Sequence, residues 1–260
     1  MPSYKAPTSD QHRLSALENA RDTGTADIAA GRKSITRETL DALIAFVPIF
    51  RPLFEALTRA LSGRMKEVRE REEARTILDT CVRDFWEVLK RRAYRLKHPA
   101  EILALFGLGS DGTVPVISTF DDLLRFADKI LKGEADATAA GYPAMSNPTA
   151  AEVAAVLATA RTQAADVPAA ERAYTDAQTA IAARRPAADE LIEDVMADLR
   201  SSLRRYDPPT QRRIMRTYGA TFETLPGEPE ETAVPTTPTQ PPASPASQPG
   251  TTPAPGAAGG

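Results

Sequence analysis

Along most of this chain apolar residues recur at intervals of three and four, the period of a helix with one buried face. A first helix is predicted from Thr36, where Ile35 before the cap and Leu40 beyond it have the spacing of a hydrophobic staple. Its stripe reads Leu40, Leu43, Ile44, Val47, Phe50, Leu53, Phe54, Leu57 and Leu61. Pro48 and Pro52 each remove a backbone donor inside it and predict a kink or short break. Residues 62–64 and 184–187 are read as short links. A second helix follows from about Arg64 to Lys97 along Met65, Val68, Leu78, Val82, Phe85, Leu89 and Leu96, and Pro99 ends it.

Residues 100–147 lose this regularity. A short helical turn over Glu101–Phe106 leads into the loop GLGSDGTVPVIS. Ser118 and Asp121 then have the spacing of a helix start, for a short helix ending at Gly133. Asn147-Pro148 marks the next start, with Thr149 and Glu152 offering a capping box in a shifted register. The stripe from Val153 to Leu199 lacks members at Glu171, Gln178 and Arg185. Pro168 interrupts it, and Pro186 is the better place for a hairpin turn. A last helical piece follows Asp207-Pro208-Pro209 and stops at Gly219. Period-two alternation is nearly absent. The expectation is an all-α protein: an elongated antiparallel bundle of four main helices, with an irregular insertion at 100–147. A longer coiled hairpin pair is the alternative.

Two segments fall outside the bundle. Residues 1–33 are polar with only a weak pulse at Leu14 and Leu17, and read as a mobile N-terminal arm. Residues 227–260 hold no Lys, Arg or aromatic residue, and only Glu228, Glu230 and Glu231 are charged. A Pro/Thr/Ala/Gly-rich stretch of this kind buries too little apolar surface to offset its ordering entropy, so a disordered tail is predicted. Its PTTP, PTQP and PASP spacings match polyproline ligands only loosely, without flanking basic residues. One domain, 34–226, lies between arm and tail.

Charge removes some partners. The 35 acidic residues less the three tail glutamates match the 32 basic ones, so the body is formally neutral and exerts no bulk pull on nucleic acid or lipid. No signal-peptide pattern is visible, and the most apolar segment, Leu43–Phe54, is too short and too broken to span a bilayer. A cytoplasmic location is expected, with signal-independent secretion as the alternative.

Candidate chemistry is sparse. Cys81 is the one cysteine and reads as a small buried hydrophobe. Gly107, Gly109 and Gly112 match G-x-G-x-x-G, but a helix precedes them, which suits a turn better than a phosphate cradle. His12 and His98 are far apart in sequence and supply no metal-binding spacing. No cofactor, metal or catalytic residue is assigned. The basic clusters are the best partner-binding candidates: Lys90, Arg91, Arg92, Arg95 and Lys97 beside His98, and Arg204, Arg205, Arg212, Arg213 and Arg216 after Arg200. In an up-down-up-down bundle both fall at one pole. Tyr94, Tyr206 and Tyr218 are interleaved with them.

In organisation, a helical body followed by a Pro/Ala/Gly/Thr tail resembles some bacterial substrates of specialised secretion systems. That group carries a W-x-G turn and a Y-x-x-x-D/E signal. Here Trp86 is followed by Glu87-Val88, and Tyr174 has Gln178 four residues on, so the likeness is architectural. The leading expectation is a non-enzymatic scaffold or assembly protein that packs helices with itself as a homo-oligomer, or with a protein partner. The alternative is a module that binds nucleic acid or an acidic partner through the basic pole. An enzyme pocket built from the insertion around Asp111, Asp121 and Asp122 is the third class.

Overall fold

A computed structural model of the chain describes residues 3–223; the predicted disordered tail lies outside the described residues. The elements run β1 (Ser3–Lys5), α1 (Asp10–Ala29), α2 (Arg37–Arg95), α3 (Pro99–Leu105), α4 (Phe120–Ala139), α5 (Ala150–Ala182), α6 (Arg185–Ser202), α7 (Pro208–Thr217) and β2 (Thr221–Glu223). The protein is an elongated all-α bundle, with one two-stranded antiparallel ribbon pairing Tyr4 with Phe222.

Its spine is α2, 59 residues without a break and roughly 90 Å long at 1.5 Å per residue. The helix starts at the predicted Thr36, whose hydroxyl accepts the Thr39 amide, while Ile35 and Leu40 are buried beside it. Pro48 and Pro52 leave the helix unbroken and lie one turn apart on its exposed face. Water can reach the carbonyls that these prolines leave unpaired. Ser62-Gly63, the predicted link, lies inside the same helix. One glycine costs a helix only about 1 kcal/mol, less than the packing on either side of it supplies.

Helices α5 and α6 run back along this spine. Arg64 meets Glu171, while Thr36 and Thr39 meet Asp198, so the direction opposes that of α2. The proposed hairpin at Pro186 is replaced by a two-residue step at 183–184, after which α6 continues toward the start of α2. Pro168 sits inside α5 on its exposed side.

Two separate apolar cores result. The first joins Leu14 and Leu17 of α1, Leu43, Val47 and Phe50 of α2, Ile192, Val195 and Leu199 of α6, and Tyr218. The second joins Leu78, Phe85, Trp86 and Leu89 of α2 to Ile102, Phe106, Ile130, Val153 and Leu157. Full burial of each Leu, Val or Phe contributes roughly 1.5–3 kcal/mol.

Within the mobile arm predicted over 1–33 a packed helix forms instead. Residues 10–29 form α1, capped by Ser9 and packed through Leu14, Ala16, Leu17 and Ala20. Small residues give it little periodic signal, and ion pairs add to its packing. Arg185 pairs with Asp10 at 2.8 Å, and Arg13 with Asp189 at 2.7 Å. Within the insertion, α4 passes through Gly133 to Ala139. It starts one residue later than predicted, with Thr119 and Asp122 forming the capping box. Thr149 and Glu152 form the box of α5.

Candidate interaction surfaces

Between the cores lies a neck. No residue of α2 from 51 to 73 is fully buried, and on α5 only Val167 is buried between Ala160 and Ile181. The facing positions on α2 are Leu57, Ala60, Arg64, Glu67, Arg71 and Ala74, alternating three and four as in a two-stranded coiled coil. Three of the six are charged. Arg64 Nε sits 2.7 Å from Glu171 Oε1 at an angle too poor for a hydrogen bond, so this contact is an ion pair. The same guanidinium lies 5.3 Å from the Tyr174 ring centre. The stripe members missing at Glu171 and Gln178 therefore fall in this neck.

The flank of the seam is apolar. Phe54, Leu61, Met65 and Val68 follow one another at seven, four and three residues, which is one helix stripe. Met65 is 64 % exposed and Leu61 37 %. Ile44, Ile49 and Ile77 add further exposed apolar side chains on α2.

The single basic pole does not form. Lys90–Lys97 close α2 at the second core, whereas the arginines of α6 and α7 lie at the first, where Asp198 of α6 bonds the start of α2. The separation along α2 is roughly 75 Å. The cause is that the chain runs on at both 62–64 and 183–184, where two reversals would have brought the ends together. Tyr94 and Tyr206 are exposed beside their clusters, while Tyr218 is buried in the first core. Its hydroxyl donates to Asp27 at 2.8 Å, and Ser34 and Arg32 engage the same carboxylate. Burial alone would raise the pKa of Asp27, but those three partners outweigh it and hold the group below its usual range. The Tyr218 hydroxyl is pushed up, chiefly by burial. A cleft of about 780 Å³ opens beside this network, lined by Lys33, Tyr206 and Arg213 among others.

The remaining candidates have structural partners. Asp111 accepts from the Thr113 amide and hydroxyl in the glycine loop, where Gly107 and Gly112 take positive φ as turn residues. Asp122 caps α4, and Cys81 is half-buried with its thiol pKa raised by burial and by Glu152 and Asp84. His12 lies on α1 and His98 precedes α3. Among the described residues no group of three or more His, Cys, Asp or Glu could hold a metal ion. No helix among them is long and apolar enough to cross a membrane. Comparison with protein-family models, curated proteins and solved structures gives no match for this chain.

Proposed function

We propose that this protein is a non-enzymatic scaffold or assembly component that acts by packing helices with itself or with a partner protein. The observation that carries this reading is the α2–α5 neck. It is a two-helix segment with a charged seam and an apolar flank in which Met65 is 64 % exposed. Two helices cannot bury such a flank between themselves, and a third or fourth helix would cover it. Size-exclusion chromatography with light scattering tests the idea. The native chain runs as an oligomer, and the pair Leu61→Glu with Met65→Glu runs as a folded monomer. A monomeric native chain that pulls no protein partner onto this flank overturns it.

The second reading, binding of nucleic acid or an acidic partner, draws on exposed Tyr94 beside Arg91 and Arg95 at the end of α2. Absorbance at 260 nm that co-elutes with the protein and is removed by salt would favour it over assembly.

A further inference from the structure

Beside the Asp27 network, the cleft of about 780 Å³ is lined by α1, the turn at 30–36, the chain that follows α6, and α7. That volume lies within the range of about 300–1,000 Å³ typical of small-molecule sites. Ala26, Leu203 and Ile214 give the cleft an apolar wall. The two carboxylates described on its lining are already engaged, Asp22 by Arg21 at 2.8 Å and Asp27 by Arg32, Ser34 and Tyr218. Two cations are left to act on a ligand. Lys33 has no ion-pair partner among the described residues. Arg213 acts on Asp207, whose carboxylate caps α7 by accepting the Thr210 amide. Arg204 and Arg205 stand exposed in the adjoining loop and add to the positive potential.

The backbone around these groups is fixed before any ligand arrives. The Ser202 hydroxyl donates to the Ser34 carbonyl at 2.7 Å and the Ser34 hydroxyl donates to Asp27, so the turn that carries Lys33 is tied to both α6 and α1. Tyr206 donates its amide to the Leu203 carbonyl at 2.9 Å, and its own carbonyl accepts the Gln211 side chain at 2.8 Å. The Tyr206 residue nonetheless stays 54 % exposed on the lining. A backbone already held in place lowers the ordering cost of binding. Lysine and arginine are the usual side-chain ligands of phosphate, and an exposed aromatic face accepts a flat ring by stacking.

We propose that this cleft binds an organic phosphate carrying a flat ring, of the nucleoside monophosphate class, with its phosphate at Lys33 and Arg213 and its ring against Tyr206. The inference does not rest on the assembly reading, which concerns the neck. The test titrates the full-length chain with AMP, ribose 5-phosphate and adenosine and follows backbone amide shifts. AMP binds tightest of the three, and its shifts gather at residues 22–34 and 202–217. Lys33→Gln weakens AMP and ribose 5-phosphate about tenfold each and leaves adenosine unchanged. Tyr206→Ala weakens AMP at least about fivefold and leaves ribose 5-phosphate unchanged. Both side chains are exposed, so the variants keep the native circular dichroism spectrum. No shift up to about 10 mM AMP, or equal AMP affinity in the native and Lys33→Gln chains, overturns the site. Equal affinity for AMP and ribose 5-phosphate overturns the ring contact and with it the ligand class. Shifts confined to residues 90–97 would place the phosphate at the far basic cluster and also overturn the proposal.

Discussion

Gly63 and Gly133 are both helical glycines, and their surroundings give them opposite roles. A Cβ added at Gly63 would meet nothing within 4 Å, so that position bears only the entropic cost of glycine. Gly63→Ala should raise stability by about 0.5–1 kcal/mol in denaturant unfolding. At Gly133 the same atom would stand 2.6 Å from the Leu105 carbonyl oxygen, and backbone cannot step aside. Gly133→Ala should cost about 1–3 kcal/mol by the same measurement. Sequence pattern reads both as helix ends, because an approach between α3 and α4 leaves no trace in it. Asp27 was equally hidden. Its partner Tyr218 is 191 residues away, and only the local grouping with Arg32 and Ser34 hints at a network. Asp27→Ala should cost about 1–3 kcal/mol by removing the acceptor that Tyr218, Ser34 and Arg32 share. Asp10 is likewise held low, first by the hydrogen bond from Arg185 and then by the charges of Arg185 and Arg13, against opposing burial. Both depressed carboxyls contribute stability that is present above about pH 4 and lost as pH falls through their folded values. Thermal melts between neutral and acid pH should fall in that window, and less steeply for Asp27→Asn.

At the scale of elements, caps and stripes were legible because their physics is local. Thr36, Thr149 and Asp207 each accept a backbone amide from the first turn of the helix they precede. Helix ends inferred from interruptions alone were not legible. Gly63, Pro168 and Pro186 interrupt a pattern without reversing the chain, since each falls where an exposed face or a helix start tolerates it. Helix α1 was missed for the converse reason. Its contribution comes from small side chains and ion pairs, not from a long apolar stripe. The seam between α2 and α5 makes a further demand. Its three-and-four register holds only if both strands keep step, so seven residues inserted at matched neck positions of both helices should preserve folding. The same insertion in α2 alone should destabilise the chain strongly by circular dichroism melts. Tolerance of the single insertion would show that the charged seam does not fix register.

At the scale of the whole molecule, the all-α elongated form followed from the period of the sequence, whereas the arrangement of its ends did not. Which helix ends meet depends on where the chain reverses. The reversals lie at 30–36, through α3 and α4, and at 203–207, not at the two predicted links. That difference divides one expected basic pole into two. The continuous α2 then holds those clusters roughly 75 Å apart, many times the distance of about 8 Å over which physiological salt lets exposed charges feel one another. Each end is therefore electrostatically autonomous. An anion captured at one would leave the field at the other unchanged, and two such ligands would bind with no cooperativity beyond what the neck could transmit by bending.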